Sequence, residues 1–230
     1  MDQDNIFTEG QVLLIDKPLY WTSFDVVRKL RNLVRTKKVG HAGTLDPLAT
    51  GLLIVCTGKF TKKINEYMAK EKEYTGTITL GASTPTYDLE SEPEDFREVK
   101  NFSFEELNEQ ALAFTGNIMQ TPPIHSAIKV EGKRVYELAR RGVDVKLEPR
   151  PVMISEFEII SFDLPKISFR VVCSTGTYIR SLANDFGRSL GSGGYLSSLR
   201  RTRIGEFHVK DAIIMEEAEK KINELLRKDS

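Results

Sequence analysis

The chain has 230 residues, enough for one substantial domain or a domain carrying an inserted lobe, and 40% hydrophobic with 29% charged residues is an ordinary globular composition. Thirty-three basic residues balance 33 acidic ones, which argues against a uniformly basic nucleic-acid binder, and no apolar run approaches the roughly 20 residues of a membrane helix. The acidic start Met1-Asp2-Gln3-Asp4-Asn5 does not read as a secretory signal, and Cys56 and Cys173, each inside an apolar run, make no disulfide framework, so a reducing cytoplasm is the expected compartment.

In chain order, residues 11–15 form a short apolar strand that ends at Asp16-Lys17-Pro18. Thr22 or Ser23 caps a helix whose apolar residues, Val26, Val27, Leu30, Leu33 and Val34, make one stripe. A glycine-rich, nearly uncharged segment, residues 40–51, follows and holds one carboxylate, Asp46. Pro47 biases Asp46 away from helical backbone, and Leu52-Leu53-Ile54-Val55-Cys56 then reads as a buried strand. Residues 61–69 predict a helix with Ile64 and Met68 on one face, and residues 73–80 a strand rich in Thr, Tyr and Ile. Residues 81–97 are polar, acidic and interrupted by proline, a long loop. Ser103 followed by Glu106 is a capping box, with Gly116 placed at the far end of that helix.

Residues 124–130, 131–132 and 134–141 suggest strand, turn and short helix, stopped by Gly142. Residues 152–160 and 167–173 are two strands joined around Pro165, the second alternating Ile167, Phe169, Val171 and Cys173 with Ser168 and Arg170. Ile179, Leu182, Ala183, Phe186 and Leu190 form a helical stripe, and residues 215–227 a terminal amphipathic helix. Strands and helices in irregular order predict an α+β fold with a mixed, mostly antiparallel sheet flanked by helices.

Several familiar motifs fail on inspection. The stretch from Gly51 to Lys59 has the wrong spacing for a phosphate loop, with Phe60 where Ser or Thr must hold a metal. The glycines of residues 187–194 follow a helix rather than a strand, as in a helix-ending turn. His41, His125, His208 and the two cysteines show no ligand spacing, so no metal site is expected, and no serine sits in a nucleophile elbow. Two features remain. Asp46 on a stiff loop is either a nucleophile or base, or a carboxylate that caps its own turn. Arg180 lies in the first turn of its helix, where the dipole disfavours a cation, so it calls for an anionic partner such as Asp46 or a phosphate, or else is a surface arginine.

Together these residues resemble the TruB family of tRNA pseudouridine synthases. Gly40-His41-Ala42-Gly43-Thr44-Leu45-Asp46-Pro47-Leu48-Ala49-Thr50-Gly51 is similar to the family's catalytic signature. Leu14-Ile15-Asp16-Lys17-Pro18, Lys72-Glu73-Tyr74, Gly176-Thr177-Tyr178-Ile179-Arg180 and Leu199-Arg200-Arg201 follow in the family's order. The similarity spans residues 12–207 and implies the pseudouridine synthase fold over residues 1–230 as a single catalytic domain. It further implies isomerisation of a T-loop uridine of tRNA without cofactor or metal, by a monomer needing no protein partner or membrane.

By this resemblance Asp46 is the essential carboxylate, and Arg180 keeps it charged and oriented. Tyr74 stacks on the everted base, Tyr178 and Leu199 line the pocket, and His41 stacks on RNA or fills the space the base leaves. Lys17 and Pro18 are structural supports. Phosphate contacts are expected from Lys129, Lys133, Arg134, Arg140, Arg141, Arg200 and Arg201, and residues 122–151, with hinges at Gly132 and Gly142, resemble an insertion that clamps RNA. The sequence departs from the family at Pro85, where relatives have an acidic residue, and it is expected to lack the small C-terminal PUA domain, leaving recognition to the T arm. The competing readings are a synthase of the same fold acting on another RNA and an RNA-binding protein or tRNA-folding chaperone without catalysis.

Overall fold

The computed structural model describes residues 5–124, 129–130, 133–134 and 147–228. The chain divides into two compact units, one formed by Met1–Tyr74 and Leu199–Ser230 and the other by Thr75–Ser198. The first unit opens with a short helix α1 (Ile6–Glu9), strand β1 (Val12–Lys17) and helix α2 (Ser23–Val34). Thr22 caps α2 through a reciprocal box with Asp25, each side chain bonding the other's backbone N–H. Strands β2 (Val39–His41) and β3 (Ala49–Thr57) follow, then helix α3 (Ile64–Ala69) and the start of β4 (Lys72–Leu80).

β3 pairs antiparallel with β1 and β2. Its continuous apolar run reflects burial on both faces. Leu53 and Val55 pack with Ile15, Val26, Val27, Leu30 and Val34 on one side, while Leu52, Ile54 and Cys56 pack with Ala42 and Tyr67 on the other. The helix expected over residues 61–69 divides: a tighter turn occupies Gly58–Lys63 before α3 begins. Tyr67 is the buried residue of α3, whereas Met68 is 39% exposed, so the inward face is Ile64–Tyr67 rather than Ile64–Met68.

In the second unit β4 continues, followed by helix α4 (Phe104–Leu112), strand β5 (Gly116–Gln120) and the short antiparallel pair β6 (Lys129–Val130) and β7 (Lys133–Arg134). Ser103 and Glu106 form the expected capping box. Gly116, however, does not end that helix: the helix ends at Leu112 with Ala113 as its cap, and Gly116, at φ +85°, opens β5, a strand with no sequence signal. Arg134 is likewise in a strand rather than a helix, and residues 135–146 lie outside the described set.

Strands β8 (Arg150–Asp163) and β9 (Lys166–Cys173) pair antiparallel, β5 pairs with β8, and the unit's strand order is β10-β4-β9-β8-β5. Helix α5 (Ile179–Ser189) packs Phe186 edge-on to Phe157 at 5.3 Å, with Phe114 and Phe169 completing an aromatic core. The long polar loop of residues 81–97 is not merely a solvated surface. Buried Thr84 and Thr86 hydroxyls donate to the Asp88 carbonyl, and Thr86 also meets the Ser91 hydroxyl at 2.7 Å.

Strand β10 (Gly194–Ile204) starts in the second unit and ends in the first, where it pairs parallel with β3 in the register Leu199↔Ala49, Arg200↔Thr50, Arg201↔Gly51. Strand β11 (Phe207–His208) folds back on it, and helix α6 (Met215–Lys228) packs Met215, Ala218 and Ile222 into the cluster under α2. Among the described residues, the parallel β3–β10 ladder beside the antiparallel β1–β3 and β8–β9 ladders, with flanking helices, is the predicted mixed α+β arrangement.

Candidate active site

Asp46 sits between β2 and β3, and Gly43, Leu45, Pro47 and Ala49 around it are each held by a hydrogen bond. Gly43 offers its carbonyl to the Arg201 guanidinium at 3.0 Å. The Leu45 N–H donates to the Ser23 hydroxyl at 2.9 Å, and that hydroxyl in turn donates to the Leu45 carbonyl at 3.2 Å. The Ala49 N–H donates to the Asp46 carbonyl at 3.0 Å, closing a turn in which Asp46 is half-buried. The Pro47 carbonyl accepts the Tyr20 N–H at 2.9 Å. The loop is thus fastened from α2, from β10 and from the turn after β1, which is what a side chain needs if it must be aimed.

Lys17, which ends β1, is fully buried. Its ammonium donates to the carbonyls of Pro18 at 3.0 Å and Trp21 at 2.5 Å, and lies 3.5 Å from that of Pro47. Burial pushes its pKa down from 10.5 to about 8, and the negative charge of Asp46 acts in the opposite direction. The sequence reading of Lys17 as a support for the loop therefore gains a second element: a low-dielectric cation whose charge the Asp46 carboxylate feels.

Arg201 was expected to contact phosphate. It is 1% exposed, with Nε donating to the Leu52 carbonyl at 2.8 Å and an Nη to Gly43, so it is a strut under the Asp46 loop and cannot reach RNA. Arg200, next to it, forms a two-pronged pair with Asp16 at 2.7 and 3.0 Å, which offsets much of the charge assigned to phosphate binding. The reason for both corrections is β10. Its parallel pairing with β3 turns one arginine inward beneath the loop and the other toward β1.

Leu199 is half-buried and, through its partner Ala49, is brought beside the turn closed by Asp46. His41 ends β2 and is half-buried; burial lowers its pKa, the Arg201 charge adds to this, and a hydrogen bond to the Gly43 backbone opposes it. Its Nδ1 is buried without a hydrogen-bond partner among the described residues. Burial and the Arg201 charge therefore both favour the neutral form of this ring at the start of the loop. Tyr74 is 9% exposed on β4. The start of that strand is tied to β10 by the Thr202 hydroxyl, which donates to Glu73 Oε1 at 2.7 Å, and by the Arg203–Glu71 pair at 2.9 Å.

In the second unit Tyr178 is the residue before α5, half-buried beside a small cleft of about 140 Å³ lined by Gln120, Arg150, Thr175 and Gly176 among others. Its backbone is held by the Gln120 amide, which accepts the Tyr178 N–H at 2.8 Å and donates to the Tyr178 carbonyl at 3.0 Å. The Ser181 hydroxyl donates to the Thr121 carbonyl at 2.8 Å, so β5 and the start of α5 are fixed to each other. Arg180 is 5% exposed; its guanidinium lies 3.7 Å from the Asp88 carboxylate, also buried, and donates to the Thr86 carbonyl at 3.4 Å. An anionic partner for a cation in the first turn is the requirement read from sequence.

Asp88 supplies one such partner, though sequence placed it only within an acidic run. Gln120 had no sequence signal at all. The side chains of Lys129, Lys133 and Arg134, together with Gly132, Arg140, Arg141 and Gly142, lie outside the described residues. No helix among the described residues is long and apolar enough to cross a membrane.

Residues 31–179 match the TruB family pseudouridylate synthase (N terminal domain), and residues 180–228 match the tRNA pseudouridylate synthase B C-terminal domain. The chain is 55% identical to tRNA pseudouridine synthase B of Flavobacterium johnsoniae over 214 residues, covering 90% of this chain and 93% of the relative. It is 50% identical to the protein of the same name from Phocaeicola vulgatus, covering 91% and 92%. Among solved structures, a chain of a Cbf5–Nop10–Gar1 complex superposes with a TM-score of 0.71 at 28% identity. That match covers 93% of this chain but spans only 54% of the other.

Proposed function

Since the chain belongs to the TruB family of pseudouridylate synthases, we propose that its substrate is tRNA and that it isomerises uridine 55 of the T loop. The reaction breaks the bond between C1′ of the ribose and N1 of the uracil, turns the detached base, and joins C1′ to C5. N1 gains a proton and C5 loses one. Atoms and electrons balance without oxidant, reductant or added group.

Asp46 carries the chemistry in this reading. A carboxylate acts as nucleophile or base only while ionised, and the buried Lys17 ammonium favours that state. The single observation that supports the reading best is the fastening of the Asp46 loop at Gly43, Leu45 and Pro47 by groups from three separate elements. A loop whose only task was to turn the chain would not need a buried lysine and a buried arginine beneath it. The target uridine is stacked within a folded loop and must be everted to be reached. We assign Tyr74 to stacking on the everted uracil, Tyr178 and Leu199 to contacts with that nucleotide, Arg180 to holding negative charge, and His41 to the RNA side of the Asp46 loop.

The test is to incubate the protein with unmodified tRNA and map pseudouridine at single-nucleotide resolution. Product at the T-loop uridine is expected from the wild type. Asp46→Asn and Asp46→Ala should form none while binding tRNA with unchanged affinity. Product that persists in Asp46→Asn, or that forms in another RNA but not in tRNA, overturns the reading.

A further inference from the structure

One surface beside the Asp46 loop is not used by the chemistry above. Residues 18–22 turn sharply between β1 and α2, and Tyr20 adopts φ +67°. That left-handed backbone is routine for glycine and unfavourable for a bulky side chain. The backbone has a reason for it: the Tyr20 N–H reaches the Pro47 carbonyl while the next carbonyl, that of Trp21, turns inward to the Lys17 ammonium. The side chain has no such reason. Tyr20 is 75% exposed, so the chain keeps an aromatic residue at the surface where glycine would meet the backbone demand better.

Around it lies an open groove of about 420 Å³ lined by Tyr20, Trp21, Asp25, Arg28, Lys29 and Asn32, with Leu19 and Phe24 exposed nearby. From Ser23 to Arg35 the helix and its cap carry Arg28, Lys29, Arg31 and Arg35 against the single acid Asp25. Arg28 pairs with Asp25 at 2.8 Å and Lys29 with Glu219 at 2.9 Å, but both pairs are on the surface, where such contacts exchange readily.

We propose that this ledge docks the substrate RNA: a base neighbouring the everted uridine stacks on Tyr20, and Arg28 and Lys29 meet the phosphates beyond it. The inference rests on the function proposed above. Its geometric ground is that Tyr20 is bonded to Pro47, the residue after Asp46, so a strand that delivers a nucleotide to Asp46 has its neighbours within reach of this turn. An aromatic face beside cations is the usual composition of a sequence-tolerant platform for single-stranded nucleic acid.

The experiment measures affinity for a T stem-loop RNA, together with kcat and KM, for full-length Tyr20→Gly, Tyr20→Leu and Tyr20→Phe. Tyr20→Gly relieves the backbone, so its Tm stays level or rises, while Kd and KM increase about tenfold with kcat unchanged. Tyr20→Leu, which keeps the backbone demand and the apolar bulk but lacks the π-face, loses affinity to the same extent, and Tyr20→Phe binds as the wild type does. RNA affinity of Tyr20→Gly and Tyr20→Leu equal to wild type overturns the proposal, as does an equal loss in Tyr20→Phe. Failure of the function itself shows separately, as a wild type that makes no pseudouridine in tRNA; a ring-dependent loss of RNA binding would still support the ledge.

Discussion

Replacing Arg201 with Met tests whether the Asp46 loop is held from below. The substitution keeps a long side chain and much of the buried volume but removes the donors to the Leu52 and Gly43 carbonyls, which Arg201 contacts at 2.8 and 3.0 Å. A hydrogen bond involving a charged group contributes about 1.5–3 kcal/mol, and two are lost. Removing a buried guanidinium also removes its desolvation cost, which offsets part of that. The expected net loss is about 2–4 kcal/mol, a fall in Tm of roughly 5–15 °C for a chain of this size. Activity should suffer beyond stability, because Gly43 is three residues from Asp46 and a displacement of about 1 Å can cost about a hundredfold in rate.

The assay is thermal unfolding followed by single-turnover pseudouridine formation at a temperature where both proteins are folded. Arg201→Lys should recover part of the stability but less of the rate, since one ammonium cannot reproduce a planar fork aimed at two carbonyls. A variant Arg201→Met with Tm within 2 °C of wild type and an unchanged single-turnover rate refutes the strut.

Three further outcomes follow from the same geometry. The Lys17 pKa is depressed in the fold to about 8 from 10.5, so between those values the unfolded chain binds more protons and the Lys17 contribution to stability rises with pH. Unfolding free energies of wild type and Lys17→Met, compared from pH 7 to 10.5, should diverge by about 3 kcal/mol in favour of wild type, while pseudouridine formation falls above pH 8 as Asp46 loses its neighbouring cation; parallel stability curves would contradict this. Gly51→Ala places a methyl group 2.3 Å from the Arg201 carbonyl oxygen at φ +102°, and should destabilise by about 3 kcal/mol or prevent folding, read by circular dichroism; a soluble variant with wild-type Tm would show the β3–β10 ladder is wrongly registered. Gln120→Leu deletes both amide bonds to Tyr178 and should cost about 2 kcal/mol in urea unfolding with a raised KM for tRNA, whereas Gln120→Glu, which keeps only the acceptor, should fall between; equality of all three would remove Gln120 as the holder of Tyr178.

Local physics was enough for much of the molecule. The Thr22–Asp25 and Ser103–Glu106 boxes announce their helices because a cap and its reciprocal partner lie three residues apart. Leu52 to Cys56 announces a doubly buried strand because every position is apolar, and the Asp46 segment announces a constrained loop through Pro47 and its glycines. What escaped the sequence depends on partners far along the chain. The whole of β10 went unread because Arg200, Arg201 and Arg203 look like a basic surface; only pairing with β3 about 150 residues earlier turns Arg201 onto buried carbonyls and makes it part of the core. Gln120 and Asp88 gain their meaning from the first turn of α5 in the same way. Capping, periodicity and backbone restriction act over a few residues and are written in order. Whether a charge meets solvent or a buried carbonyl is decided by tertiary neighbours, which no local pattern encodes.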